Sequence, residues 1–176
     1  MIVRDKTDTV DHVVVPGTFD PLTYGHLDVI LRARRLFPQV TIAVAASFGK
    51  NGTGPTFSLD ERVQMIEETL AEVGATDGIE VRPCTGLLMN FCREVGAGSV
   101  VKGLRSMTDF EYELQQAGVN AHLAKDVETV FIVSNVAYSY VSSSVVRELV
   151  SLGANVSTFV PQTVLRHLEA RFGAAQ

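Results

Sequence analysis

The 176-residue chain lacks any apolar run of about 18 residues, so no transmembrane helix is expected. Its first eleven residues form a polar, charged lead without the apolar stretch of a signal peptide. A secretory signal is therefore not expected. We expect a cytoplasmic location instead. The two cysteines, Cys84 and Cys92, are too few for a disulfide scaffold and match no zinc-ligand spacing. Both are expected to be reduced thiols in the core or at the edge of a pocket.

An excess of positive charge is also missing. The chain has 15 Lys and Arg against 20 Asp and Glu, a formal net charge of −5. Nucleic acid is therefore not expected as the main partner, because binding a phosphate backbone requires a basic face. A small anionic ligand needs only a few well-placed cations, so this charge is compatible with one.

Two common nucleotide-binding motifs are absent. No G-x-x-x-x-G-K-[ST] sequence occurs, so the P-loop class has no support. Gly96-Ala97-Gly98 resembles half of a dinucleotide fingerprint, but it precedes a predicted strand and lacks the third glycine. A nucleotide site, if there is one, must be built from other residues.

What the sequence does contain is a regular alternation of short apolar runs and amphipathic segments. Strands are predicted at 12–16, 40–46, 79–83, 99–102 and 129–133. Helices are predicted at 26–37, after a capping box at Ser58, and at 87–95, 109–123, 142–152 and 161–172, the last with Pro161 in its first position. This order predicts an α/β fold: a Rossmann-like open parallel sheet of five strands with helices on both faces. The length fits a single domain over residues 1–176.

Ligands of such a sheet bind beyond the carboxyl ends of its strands. The loops predicted there carry one histidine, two lysines, one arginine, and several serines and glycines. Cations and the free N–H groups at helix starts both bind phosphate oxygens. These loops therefore predict a polyphosphate site.

The loop after the first strand, G-T-F-D-P-L-T-Y-G-H at residues 17–26, resembles the signature of the nucleotidyltransferase superfamily. Later motifs resemble, in order, those of phosphopantetheine adenylyltransferases: Lys50, Lys102-Gly-Leu-Arg105, Asp109-Phe-Glu-Tyr-Glu113, Asn120 and Ser142-Ser-Ser144. The resemblance runs from about residue 12 to about residue 165. It implies transfer of the adenylyl group of ATP to 4'-phosphopantetheine, giving dephospho-coenzyme A and pyrophosphate in coenzyme A biosynthesis.

The same resemblance implies roles for individual residues. His26 and Thr18 are expected to bracket the α-phosphate as the catalytic pair. The other expected ATP-binding residues are Phe19, Gly103, Leu104, Arg105, Glu113, Tyr138, Ser139, Tyr140, Val141, Ser142, Ser143 and Ser144. Phosphopantetheine is expected to bind Thr18, Lys50, Leu88 and Lys102. The family further implies magnesium (Mg²⁺) held through the ATP phosphates, a homohexamer, and coenzyme A as a candidate feedback ligand.

Simpler structural roles stay open for most of these residues. His26 could cap a helix, the lysines could be solvated, Arg105 could pair with Asp109 or Glu113, and the serines could be an N-cap. Leu88 could belong to the core. Lys102 stands where many family members have arginine, and Tyr24 stands where asparagine is common, with no role assigned.

Two other functions also stay open. A nicotinamide mononucleotide adenylyltransferase would share the motif at residues 17–26, although Lys102-Gly-Leu-Arg105 favours the pantetheine enzyme. The second open function is that of a regulatory protein that binds a nucleotide without turning it over. The intact Thr18, His26 and Lys50 argue against this function.

Overall fold

The fold comes from a computed structural model that describes residues 10–46 and 54–174, with the side chain of Thr108 excepted. Lys50 and residues 1–9 of the polar lead lie outside these ranges. Within them, none of the helices combines the length and apolar character needed to cross a membrane.

Five strands of the described chain form one sheet. They are β1 (His12–Gly17), β2 (Gln39–Ala45), β3 (Ile79–Cys84), β4 (Ser99–Leu104) and β5 (Glu128–Val133). Every pairing is parallel, and the order across the sheet is β3-β2-β1-β4-β5. The predicted α/β class with a five-stranded parallel sheet is confirmed. The largest difference is that β4 continues two residues past its predicted end, which brings Gly103 and Leu104 into the strand.

Helices connect these strands. They are α1 (Tyr24–Leu36), α2 (Leu59–Glu72), α3 (Leu88–Val95), α4 (Met107–Leu123), α5 (Ser143–Ser151) and α6 (Gln162–Phe172), with a 3₁₀ turn at Val136–Tyr138. The capping box predicted at Ser58 is present. The placement of Pro161 in the first position of α6 was wrong: its ψ of 156° is extended, so it is the N-cap. Proline's fixed φ suits both positions, and its carbonyl accepts the N–H of Leu165 at 2.9 Å.

The three central strands, β1, β2 and β4, each contain a run of at least three buried residues, as expected of a parallel sheet covered by helices on both faces. In β1, Val13 and Val15 enter the core cluster that contains residues of α1, α2, α5 and α6. Val14, between them, enters a second cluster with Met89 and Cys92 of α3. The strand order reverses between β1 and β4, and in open α/β sheets the ligand crevice lies at such a reversal. The fold therefore directs attention to the carboxyl ends of these two strands.

Candidate active site

Two adjacent cavities open at this edge of the sheet. The first has a volume of about 350 Å³ and lies among the ends of β1 and β4 and the first residues of α1 and α5. The second, of about 330 Å³, lies towards the ends of β2 and β3. The two cavities share Pro16, Gly17, Thr18 and Lys102. A ligand in one cavity would therefore meet a ligand in the other beside Thr18 and Lys102.

Most of the predicted site residues line these cavities. The first is lined by Thr18, Phe19, His26, Lys102, Gly103, Arg105, Glu113, Val141, Ser142, Ser143 and Ser144. The second is lined by Thr18, Leu88 and Lys102 from the predicted set. Leu104, Tyr138, Ser139 and Tyr140 line neither cavity as the described residues form them. Lys50 lies outside the described residues.

The segment Gly17-Thr18-Phe19 turns sharply to reach the site. Phe19 has a φ of 49°, which is left-handed for a residue with a side chain and costs about 1 to 3 kcal/mol. Its buried ring lies directly over Gly17, where an added Cβ would come within 2.7 Å of a ring carbon. The ring also contacts His26 edge-on, with centroids 5.2 Å apart. Glycine at position 17 therefore makes room for the ring that packs beside His26.

His26 is the third residue of α1 and takes part in its capping box. The Nδ1 atom of His26 accepts the backbone N–H of Thr23 at 3.1 Å and lies 3.0 Å from the Thr23 hydroxyl. Because Nδ1 is the acceptor, the proton of the neutral ring is on Nε2. Burial, and then the positive charge of Arg105, lower the pKa of His26 to about 4, although part of the ring faces the cavity. At neutral pH His26 is therefore an uncharged Nε2–H donor, and its capping role does not compete with a role in the site.

The described cations of the first cavity are paired with carboxylates. The Nε atom of Arg105 lies 3.0 Å from Oδ2 of Asp109, which is one of its two predicted structural partners. The Lys102 ammonium lies 3.2 Å from Oε2 of Glu113. That buried oxygen accepts no hydrogen bond from the described residues, so the contact is an ion pair without hydrogen-bond geometry. An anionic ligand would have to compete with these carboxylates.

The three serines at the start of α5 have different surroundings. Ser142 is the N-cap and accepts the backbone N–H of Val145 at 3.2 Å, as the capping alternative predicted. The Ser143 hydroxyl donates to the carbonyl oxygen of Pro21 at 2.8 Å. Ser144 is exposed and lines the first cavity. Of the three hydroxyls, that of Ser144 is the best placed for a ligand.

Several residues that shape the site were not predicted from sequence. Thr23 holds the His26 ring, and the spacing T-x-x-H, in the form of a capping box, was the available signal. Tyr24, which had no assigned role, stacks on Tyr138 with centroids 6.0 Å apart and planes 27° apart. Arg62 is buried beneath the Thr18 loop. The sequence signal that could have revealed Arg62 was its position on α2, in line with the apolar residues of that helix.

A metal site made by the protein alone is not found in the part of the chain that the structure describes. No group of three or more His, Cys, Asp or Glu residues there could hold an ion. The carboxylates at the first cavity, Asp109 and Glu113, lie against Arg105 and Lys102. Magnesium held through substrate phosphates would need no such cluster.

Known proteins resemble this chain over nearly all of its length. A phosphopantetheine adenylyltransferase from Staphylococcus carnosus (strain TM300) is 42% identical over 165 residues, which cover 94% of this chain and 99% of that protein. One from Thioalkalivibrio sulfidiphilus (strain HL-EbGR7) is 48% identical over 160 residues, 91% of this chain and 97% of the relative. A solved bifunctional NMN adenylyltransferase/ADP ribose pyrophosphatase from Francisella tularensis shares the fold, with a TM-score of 0.63 at 18% identity over 86% of this chain and 45% of that longer one.

The family model described as cytidylyltransferase-like matches residues 14–149, from the first strand into α5. Together with the doubly wound parallel sheet, this match defines a protein of the nucleotidyltransferase class. Within that class, both relatives described above, at 42% and 48% identity, are phosphopantetheine adenylyltransferases. The chain belongs to the phosphopantetheine adenylyltransferase family.

Proposed function

We propose that this chain transfers the adenylyl group of ATP to 4'-phosphopantetheine, giving dephospho-coenzyme A and pyrophosphate. The observation that carries the proposal is the pair of adjacent cavities that meet at Thr18 and Lys102, with His26 in the first. Two substrates joined through phosphate require such a junction. The 42% and 48% identity to phosphopantetheine adenylyltransferases favours this acceptor over nicotinamide mononucleotide, since the likeness to the NMN enzyme extends only to the fold.

The chemistry asks for positioning and charge stabilisation from the protein. An oxygen of the acceptor phosphate attacks the α-phosphorus of ATP, a P–O bond forms, and the bond to the β-phosphate breaks to release pyrophosphate. The attacking group is already an anion, so no general base is needed. Neutral His26, with its proton on Nε2, donates a hydrogen bond to an α-phosphate oxygen as charge builds there. Thr18 lies at the seam, the region beside Thr18 and Lys102 where the two cavities meet, and it aligns the reacting groups.

The lining of each cavity supports a division between the two substrates. Leu88 lines the second cavity together with Ala43, Ala45 and the buried Cys84, an apolar wall that suits the pantetheine arm. Lys102, shared by both cavities, binds the acceptor phosphate. Lys50 is proposed as its companion on the evidence of the family motif alone.

ATP is assigned to the first cavity. There Arg105 binds the phosphates of ATP, and these phosphates replace part of its present contact with the Asp109 carboxylate. The buried Oε2 of Glu113, which accepts no hydrogen bond within the described residues, accepts one from a hydroxyl or amino group of ATP. Tyr138, Ser139 and Tyr140, which line neither cavity, form the outer part of the ATP site.

Three further proposals accompany this reaction. Magnesium binds with ATP through its phosphates, so a chelator should stop turnover. Coenzyme A, which carries the same pantetheine arm, competes for the second cavity as a feedback ligand. Cys84 and Cys92 are free thiols, which suits a reducing compartment such as the cytoplasm.

The assembly is proposed to be a homohexamer, with α4 contributing to the contacts between subunits. None of the α4 residues whose side chains are described is buried, and several are large and apolar. Met107, Tyr112, Leu114, Val119 and Leu123 are all exposed. Exposed apolar surface of this extent on one helix marks an interaction site.

The proposed function is tested by pyrophosphate release from the purified protein with magnesium, ATP and one acceptor at a time. Turnover with 4'-phosphopantetheine and none with nicotinamide mononucleotide is expected. Turnover with nicotinamide mononucleotide alone would overturn the choice of acceptor. ATP binding without turnover of any acceptor would favour a regulatory protein instead.

A further inference from the structure

Arg62 is a charged residue in a place where charge is unfavourable. It lies on α2 in line with Met65, Ile66 and Thr69, the buried stripe of that helix, and its own exposure is 1%. A buried guanidinium is tolerated only where its donors find acceptors. Solvation at the surface therefore does not explain an arginine at this position. The explanation must lie in the contacts that its guanidinium makes.

Its hydrogen bonds join three separate segments of the chain. Nη1 donates to the carbonyl oxygen of Thr18 at 2.6 Å and to that of Ala45 at 2.9 Å. Nε donates to the carbonyl oxygens of Phe57 at 3.1 Å and Ser58 at 3.3 Å. One rigid, planar group thus links the loop after β1, the end of β2 and the start of α2.

Asp20 reinforces the same junction from the other side. Its buried carboxylate accepts the N–H groups of Thr56 at 2.8 Å and Phe57 at 2.9 Å. Arg147 of α5 approaches this carboxylate at 3.6 Å and donates to the Asp20 carbonyl oxygen. The loop that carries Thr18 is therefore tied to α2 and α5.

The contact with Thr18 bears directly on the site. The Thr18 carbonyl belongs to the peptide that precedes Phe19, and Phe19 has the left-handed φ of 49°. Such a conformation persists only where the surroundings hold it. The Nη1 bond sets the plane of this peptide, and with it the direction of the Thr18 side chain at the seam of the two cavities.

We propose that Arg62 is a positioning residue for adenylyl transfer, which acts by holding the Thr18 peptide in the orientation that aligns the two substrates. Arg62 itself lines neither cavity. The inference rests on the proposed function and on the place of Thr18 in it.

The test compares kcat and both KM values for Arg62→Lys, Thr18→Ala and the double variant. Lysine keeps the charge and can still donate to a carbonyl, but it lacks the fork that spans Thr18 and Phe57. Arg62→Lys should lower kcat at least about tenfold, as expected of a small misalignment of reacting groups. Because Thr18→Ala already removes the group being aligned, the double variant should be no more than about threefold slower than Thr18→Ala alone.

Met65→Ala is the matched control for stability. Met65 is fully buried nearly one turn further along α2, so its truncation should lower the melting temperature, while kcat at a temperature where the protein is folded stays within about twofold. Arg62→Gln, which keeps a neutral amide donor, serves as a second variant if Arg62→Lys fails to fold.

The outcomes separate the inference from the proposed function. Arg62 variants with the wild-type kcat, or losses that multiply in the double variant, would overturn the inference alone. Arg62→Lys and Met65→Ala are also compared at equal melting temperature. If Arg62→Lys then loses no more kcat than Met65→Ala does, the inference is overturned. If Thr18→Ala is fully active, the assignment of Thr18 to the site fails together with the inference.

Discussion

At the scale of single residues, the two ring nitrogens of His26 have different tasks. Nδ1 accepts the N–H of Thr23 in the capping box, which leaves the proton on Nε2. Burial and Arg105 lower the pKa of the ring to about 4. The hydrogen bond proposed from His26 to the α-phosphate therefore comes from a neutral ring, and it does not depend on protonation near pH 6.5.

This state of His26 is measurable by NMR with labelled histidine. The His26 resonances should stay unchanged from pH 8 down to about 5.5 and shift as the pH approaches 4, because the folded protein protonates the ring only there. The nitrogen shifts should report a proton on Nε2. Comparison with His26→Gln assigns the signal, and a midpoint near 6.5 would contradict the prediction.

Loss of the His26 ring should affect the chemical step. His26→Ala is expected to lower kcat by about two to three orders of magnitude, while ATP affinity changes much less, because charge on the α-phosphate grows in the transition state. Steady-state kinetics and ATP titration measure the two effects. His167, paired with Glu68 at 2.9 Å and lining neither cavity, provides the control: His167→Ala should keep its kcat. A kcat loss of less than about tenfold in His26→Ala would make His26 a cap only.

Lys102 should matter more for the acceptor than for ATP. Lys102→Ala is expected to raise the KM for phosphopantetheine more than the KM for ATP, and Lys102→Arg should be much milder because the charge is kept. Loss of the ammonium also leaves Glu113, 3.2 Å away, without its ion-pair partner, so some rise in the ATP KM is expected too. An effect confined to ATP would assign Lys102 to the other substrate.

At the scale of elements, the start of α5 places a capping serine close to a serine that faces the first cavity. Ser142 caps the helix, whereas Ser144 is exposed to the first cavity. Ser142→Ala should lower the free energy of unfolding by about 1 kcal/mol. Ser144→Ala should leave the melting temperature unchanged and weaken ATP binding, since a hydroxyl donor is lost beside the free N–H groups of the helix start.

Calorimetric titration with ATP beside a thermal melt separates these two effects. Replacing Ser142, Ser143 and Ser144 together should weaken ATP binding at least about tenfold while the fold survives. Unchanged ATP affinity with a lower melting temperature would mean that the three serines only stabilise the helix and, through Ser143, the loop at Pro21.

The elements were the most predictable part of the molecule. The capping box at Ser58 and the apolar runs of the strands are local signals, and the structure contains the elements that they predict. The ends were less predictable: α1 begins two residues early because its box is made by Thr23 and a histidine instead of a glutamate. The role of Tyr24 was beyond prediction, because its partner Tyr138 is distant in sequence.

At the scale of the whole molecule, the exposed apolar residues of α4 predict assembly. Sedimentation velocity should show a species of six chains, and Leu114→Glu with Val119→Glu should shift it towards smaller species because charge is placed in the contact. Leu36→Glu, at a leucine of α1 that is more exposed than Leu114 or Val119, is the control and should leave the assembly unchanged. A monomer in solution, or equal effects of both variants, would contradict the proposal.

The sequence by itself determined the order of strands and helices, the parallel class of the sheet and the strand-end loops that carry the candidate site. Each of these follows from local periodicity, from caps, or from the rule that parallel strands end at one edge. The pair of Arg105 with Asp109 is only four residues apart in the chain, and it was one of the alternatives that the sequence left open. Only the tertiary structure decided which groups meet from distant segments: Arg62 with the Thr18 carbonyl, and Arg147 with Asp20. Such pairings depend on distances between segments far apart in sequence and on whether water is excluded between them, and no local pattern contains either quantity.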